Sequence, residues 1–428
     1  MPTIGMKMKI ETQAIHAGFE DDPTTRAVAV PLYQTTSFSF RDTQHGADLF
    51  NLAEAGNIYS RIMNPTCDVL EQRIAAMEGG AAALCVASGM AAITASMQTL
   101  CAAGDNFVSV SQLYGGTYNL FAHTFPQQGI EVRMASGDDI PALEALIDDN
   151  TKAIFCESIG NPAGNIIDLA AVSEMAHKYQ IPVVVDNTVA TPYLCRPFEH
   201  GADIVIHSLT KYIGGHGTTV GGIIVDSGKF PFKDNPRFPQ FNNPDPSYHG
   251  VVYAEALEAP FIGRARVVPL RNMGAALSPF NAFMILQGLE TLPLRMDRHV
   301  ENALTVAKHL NDNPQVSWVN YAGLEMDKYY DLAQRMTQGK PSSIISFGIK
   351  GGEEAGAKFI DALQMIKRLV NIGDAKSLAC HPASTTHRQL NEDELKTAGV
   401  SADLVRISVG IENVADIIAD IDQALAAL

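Results

Sequence analysis

At 428 residues the chain exceeds what one hydrophobic core ordinarily organises, so two lobes are expected. Hydrophobic side chains make up 46% of it, and 47 acidic residues against 31 basic ones leave a net charge of −16. That balance argues against nucleic acid and against anionic membrane surfaces as partners. The longest run of small apolar residues, 81–97, is broken by Ser88 and Gly89 and is no membrane span. The N-terminal MPTIGMKMKIETQAIH has no signal-peptide pattern. Six isolated cysteines, Cys67, Cys85, Cys101, Cys156, Cys195 and Cys380, form no C-x-x-C pair. They read as small buried residues in a reducing cytoplasm, with no metal or dithiol centre expected.

In chain order, NPTCDVLEQRIAAMEGG (64–80) predicts a helix. Asn64 can cap it, Pro65 suits its first turn and Gly79 can stop it, with Leu70, Ile74 and Met77 on one face. Short runs then follow: AALCVA (82–87), FVSV (107–110), AIFCE (153–157), PVVVD (182–186) and DIVIH (203–207). They are continuously apolar rather than alternating, as strands covered on both faces are. DLAAVSEMAHKYQ (168–180) reads as a capped helix between two of them. Strands alternating with helices predict a mainly parallel sheet with right-handed crossovers. Beyond Asp226 the texture changes. Residues 230–249 are rich in proline, an irregular excursion of a length that is usually functional. A helical stretch (276–310), SSIISFGIK (342–350), a helix over 353–368 and LVRISVGIE (404–412) predict a smaller α+β lobe.

Ligands of an open parallel sheet sit beyond the carboxyl ends of its strands. The residues following each strand are Ser88-Gly89-Met90, Tyr114-Gly115-Gly116, Asn161-Pro162, Asp186-Asn187, and Ser208, Thr210 and Lys211. Gly89 and Met90 open a helix, where free N–H groups can seat a phosphate. Ser208 and Thr210 can add hydroxyl donors, and Lys211 can form an imine with an aldehyde. Asp186 would be a buried carboxylate in need of a cation, and Tyr114 can lie flat over a ring. Phosphate, aldehyde and pyridinium together describe pyridoxal 5′-phosphate. Taken singly, each feature has a plainer reading: a surface lysine, a tight turn, a helix cap, a turn tyrosine. Their joint order at successive strand ends carries the inference. GGHGTTVGG (214–222) does not match the dinucleotide fingerprint, and neither H-E-x-x-H nor G-x-S-x-G occurs. In LVRISV, Arg406 shares a strand face with Ser408, opposite Val405, Ile407 and Val409, so it is either solvated or paired with a carboxylate.

YSRIMNPT (59–66), SGMAA (88–92), VVVDNT (183–188), HSLTKYIGGHG (207–217) and SLACHPASTTH (377–387) together resemble the Cys/Met-metabolism family of fold-type-I pyridoxal phosphate enzymes along nearly the whole chain. ESIGNPAGN (157–165), YGGTYNLF (114–121) and NNPDPSYHG (242–250) narrow the resemblance to its O-acetylhomoserine sulfhydrylase branch. The resemblance implies an α/β fold with a mainly parallel seven-stranded sheet in the large domain and a smaller C-terminal α+β domain. It implies an arm (1–60) reaching a neighbouring subunit, a cofactor-binding domain (61–275) with a long loop at 227–272, and a C-terminal domain (276–428). It further implies that Lys211 holds the cofactor and then shuttles protons, and that Asp186 pairs with the ring nitrogen while Tyr114 stacks on the ring. Gly89, Met90, Ser208 and Thr210 would hold the phosphate, joined by Tyr59 and Arg61 from a neighbouring subunit. Asn161, Ser377 and Arg406 would bind substrate. The expected reaction is γ-replacement on O-acetyl-L-homoserine by sulfide or methanethiol, in a homo-oligomer, a tetramer built from dimers. A methionine or cystathionine γ-lyase and a cystathionine γ-synthase are the alternatives. Family lyases that degrade methionine carry a cysteine where this chain has Gly116.

Overall fold

The computed structural model describes residues 8–51, 53–385 and 401–428, so Thr386 and His387 of the last motif lie outside the described residues. Seven strands build the large sheet: β1 (Ala82–Val86), β2 (Asn106–Val110), β3 (Glu131–Ala135), β4 (Thr151–Glu157), β5 (Val183–Asp186), β6 (Ile204–Ser208) and β7 (Gly222–Asp226). Their order is β1-β7-β6-β5-β4-β2-β3, and only β7 runs against its neighbours. Five strands form the second sheet: β8 (Val316–Asn320), β9 (Ile344–Ile349), β10 (Lys367–Arg368), β11 (Leu378–Cys380) and β12 (Leu404–Ser408), in the order β10-β11-β12-β9-β8. Its pairs are antiparallel except β10 with β11.

The central strands are buried on both faces. Val183, Val184, Val185, Ile204, Val205 and Ile206 have no exposed surface, which is why their sequences run apolar without alternation. The helix Pro65–Glu78 starts and stops as its sequence predicts. The Asn64 side chain accepts the Thr66 N–H, and Gly79 takes the left-handed conformation at φ 77°. Asp168 caps the helix Leu169–Lys178 by accepting the Ala171 N–H.

The helix expected over 353–368 ends earlier, at Ala362. Asp420, on the helix Val414–Leu425, accepts the N–H groups of Gln364, Met365 and Ile366 at 2.9, 3.0 and 2.8 Å. Three amides in a row aimed at one carboxylate cannot also serve a helix, so the chain turns out and enters β10.

Two apolar cores result. One fills both faces of the large sheet; the other lies under the second sheet. The helix Leu292–Asn311 belongs to both, with Leu292, Met296 and Val300 in the first and Ala303, Val306 and Leu310 in the second.

The first part of the excursion after Asp226 packs at the amino ends of the strands. Arg237 donates to the carbonyls of Asp148, Asp149 and Thr151 at the start of β4, and Asn235 donates to the Gln180 carbonyl just before β5. Phe232 stacks on Phe241 and Phe261 and meets Phe230 and Phe238 edge-on. This is an aromatic core at the end of the sheet away from the ligand-binding end. The rest of the stretch read as a loop holds short helices, Tyr253–Ala256 and Pro260–Ala265, the latter continued by a π-turn over Arg266–Leu270.

Candidate active site

At the carboxyl ends of β2, β4, β5 and β6 lies a cavity of about 280 Å³. It is lined by Gly89, Met90, Tyr114, Asn161, Asp186, Ser208, Thr210 and Lys211, the residues that strand-end reasoning singled out. Glu157, Thr188, Val370 and Ile372 complete the parts of its wall that concern the chemistry. Arg406 stands behind this wall, buried. Its Nη1 donates to Asn161 Oδ1 at 3.2 Å, and its Nη2 donates to the carbonyls of Val370 and Asn371 at 3.2 and 3.1 Å. Its Nε has no hydrogen-bond partner among the described residues.

Ser377, expected beside the substrate, lies elsewhere, and Tyr59 and Arg61, expected to serve a neighbouring subunit, do not line the cavity of their own chain. The Ser377 hydroxyl donates to Glu412 Oε2 at 2.9 Å and accepts the Gly410 N–H at 2.8 Å, so it braces the second sheet and does not line the cavity. The residue of that segment that faces the site is Asn371, whose side-chain oxygen accepts from Lys211 Nζ. Tyr59 and Arg61 are on the surface of their own chain, outside the cavity lining, with the Arg61 guanidinium 5.4 Å from the Tyr59 ring centroid.

Local structure fixes each group. Ser88 caps the helix Gly89–Leu100 by accepting the Ala91 N–H at 3.0 Å, which turns the helix N-terminus toward the cavity. A Cβ on Gly89 would lie 2.7 Å from Ser208 Cβ, and one on Gly222 would collide with the Ser88 carbonyl. Glycine at both places lets the helix start close against β6 and β7. Thr188 joins two strand ends. Its N–H donates to Asp186 Oδ1 at 3.0 Å, and its hydroxyl accepts the Ser208 N–H at 2.8 Å. Gly116 sits beneath the Tyr114 ring, where a Cβ would come within 2.6 Å of Cε1.

The electrostatics are lopsided. Burial pushes the Asp186 carboxyl above its usual range, against the pull of Thr188, His207 and Lys211. Burial pushes Glu157 well above its usual range too, and the neighbouring Asp186 charge adds to the effect. Lys211 moves the other way, lowered to about 8 by burial first and then by the Arg406 charge. The cavity thus holds two carboxyl groups short of a cation and an amine more easily deprotonated than an ordinary lysine.

Within this geometry the chain belongs to the Cys/Met metabolism PLP-dependent enzyme family, whose model matches residues 11–426. It is 52% identical over 427 residues to the O-acetyl-L-homoserine sulfhydrylase of Leptospira meyeri, covering 97% of this chain and 96% of the relative. It is 52% identical over 418 residues to a homocysteine synthase of Schizosaccharomyces pombe, covering 97% of each. The crystal structure of a putative O-acetylhomoserine (thiol)-lyase from Campylobacter jejuni, which carries N′-pyridoxyl-lysine-5′-monophosphate, superposes with a TM-score of 0.96 at 44% identity. The match covers 98% of this chain and all of that one.

The residues present fit pyridoxal phosphate on the structure's own terms. A helix N-terminus flanked by Ser208 and Thr210, with glycine where a side chain would intrude, leaves space and donors for a phosphate. Asp186 and Glu157, both driven toward neutrality by burial, match a ring bearing an N–H cation. Lys211, lowered to about 8, matches an aldehyde. Glu157, Thr188 and Asn371 were not singled out from the sequence. AIFCE ends in an acid just as VVVD does, so the signal for Glu157 was available; Asn371, in the irregular stretch LVNIGD, gave none.

Proposed function

We propose that this protein catalyses γ-replacement on O-acetyl-L-homoserine with sulfide, or with methanethiol, to give L-homocysteine or L-methionine plus acetate. The observation that carries the reading is the single cavity uniting Lys211, Asp186, Tyr114 and a phosphate cradle. It occurs in a chain half identical, end to end, to relatives named for this chemistry. Bound pyridoxal phosphate supplies an electron sink for the charge left when an amino acid loses its α-proton. The remaining work falls to the chain. Gly89, Met90, Ser208 and Thr210 hold the phosphate, and Asp186 keeps the ring nitrogen protonated. Tyr114 covers the ring. Arg406, whose Nη1 already meets Asn161, grips the substrate carboxylate with Asn161 beside it. Lys211, with its amine lowered to about 8, takes the α-proton and returns protons as acetate leaves the γ-carbon and the thiol sulfur bonds there.

Tyr59 and Arg61 serve the phosphate of a neighbouring subunit's site, in a homotetramer built from dimers located in the cytoplasm. Support comes from their surface position and from exposed apolar side chains on the same arm. The two apolar cores support a division into the arm (1–60), the cofactor domain (61–275) and the C-terminal domain (276–428), with the helix Leu292–Asn311 fastening the last two.

The test is product analysis. O-acetylhomoserine with sulfide should yield homocysteine and acetate in equal amounts, and nothing comparable should appear without a thiol. A 2-oxo acid and ammonia formed equally well with no thiol present would point to a lyase. Preferential cystathionine formation with cysteine would point to the synthase.

A further inference from the structure

Glu157 is an acidic side chain in the cavity wall to which the reaction above gives no task. It ends β4 in register with Asp186 on β5, and both line the cavity. It is buried, and a buried carboxylate needs donors aimed at it. Two main-chain donors reach it: the Tyr114 N–H, 2.6 Å from Oε1, and the Asn161 N–H, 3.4 Å from Oε2. They belong to different loops. Tyr114 ends the connection after β2, and Asn161 opens the turn after β4.

The Tyr114 side needs such an anchor. Tyr114 is 44% exposed, and directly beneath its ring is Gly116, which offers no side chain to pack on. The following helix begins Gly115-Gly116, backbone with the least conformational restraint of its own. A main-chain N–H held by a buried carboxyl oxygen cannot be released without leaving both groups unpaired, so the bond fixes the main chain where the side chain cannot.

We propose that Glu157 is a positioning residue that ties the main chain at Tyr114 to that at Asn161, and so sets where the phenol ring stands over the cavity floor. The inference rests on the reading of Tyr114 as the ring that covers the cofactor. Glu157→Gln is the informative change. It keeps the size and one acceptor oxygen, but sets an NH₂ group against one of the two N–H donors.

The experiment compares holoenzymes of the wild type, Glu157→Gln, Tyr114→Ala and the double variant. It records visible circular dichroism of the bound cofactor, its retention on dialysis, kcat and KM. The expected result for Glu157→Gln is a reduced visible dichroic signal with the absorption band retained. Its kcat/KM should fall roughly 10- to 100-fold, the scale of a displacement of about 1 Å at a reacting centre. The double variant should be no worse than Tyr114→Ala, because the two residues act through one ring. Losses that multiply in the double variant, or a Glu157→Gln enzyme with unchanged dichroism and kinetics beside a damaged Tyr114→Ala, overturn the inference alone. A Tyr114→Ala enzyme with unchanged dichroism overturns the ring-covering reading and the inference with it.

Discussion

Lys211 is held between opposing influences. Burial and the positive charge of Arg406 disfavour its ammonium form, Asp186 favours it, and the balance lowers it from the ordinary 10.5 to about 8. Between about pH 8 and 10.5 the unfolded chain therefore carries a proton that the folded chain does not. Stability gains from this group as pH rises through that window, and below about 8 its full penalty is present. The same shift governs reactivity, since only the neutral amine is nucleophilic. Mixed with pyridoxal phosphate in a stopped-flow spectrophotometer, apoprotein should capture the aldehyde at a rate that rises about tenfold per pH unit below 8 and levels off above it. A rate still climbing at that slope beyond pH 9 would mean an ordinary, solvated lysine. At this scale the sequence was legible where an apolar strand runs into a polar residue, as at Asp186 and Lys211. It was illegible where position depends on contacts between distant segments. Asn371 meets Lys211 across 160 positions, and the Ser377 hydroxyl is taken by Glu412, 35 positions on.

Elements were legible in proportion to their burial. Five strands buried on both faces announce themselves as apolar runs. β3, EVRMA, is a partly exposed edge strand whose Glu131 and Arg133 pair with each other, so its composition reads as surface. β7, GIIVD, follows a glycine-rich stretch, and its antiparallel direction breaks the βαβ rhythm. The π-turn after Pro260–Ala265 shows what the long stretch beyond Asp226 does besides packing phenylalanines. From it, half-buried Arg266 donates to Glu71 Oε2 at 2.5 Å, to the Ile62 carbonyl at 2.6 Å and to the Ala83 carbonyl at 3.3 Å. Glu71 in turn accepts the Cys85 N–H at 2.8 Å. One ion pair thus joins the helix Pro65–Glu78, β1 and the base of the segment that bears Tyr59 and Arg61. Removing the arginine alone strands a buried carboxylate, a change that costs about 3–5 kcal/mol. Arg266→Met should accordingly lower the urea midpoint markedly, and Glu71→Gln added to it should restore a large part. Equal midpoints for the single and double variants would show that the pair's charge is not what fastens these elements.

At the scale of the whole molecule, the arm leaves apolar surface uncovered in the single chain. Much of the arm before residue 60 is irregular and exposes Val28, Leu32, Phe40, Phe50 and Tyr59, Val28 to 81% and Phe50 to 51%. Apolar groups gathered on an arm with no core of its own are what a second copy would cover. Among the described residues no helix is long and apolar enough to cross a membrane instead. Sequence periodicity could not reveal this surface, because a largely irregular arm has no repeat of its own; only the motif YSRIMNPT pointed to it. If Tyr59 and Arg61 serve the neighbour's phosphate, two dead enzymes should rescue each other. A Lys211→Ala chain has no lysine for the cofactor but still lends a sound Arg61; an Arg61→Ala chain has the lysine and lends nothing. Co-expressed with different tags, the two should assemble at random, so half of the dimers are mixed and each mixed dimer has one site with both groups intact. About a quarter of wild-type activity should return, all of it in the fraction that both tags capture. Activity in that fraction no higher than in the parent variants would place Arg61 at the service of its own chain, and the arm would be no more than packing.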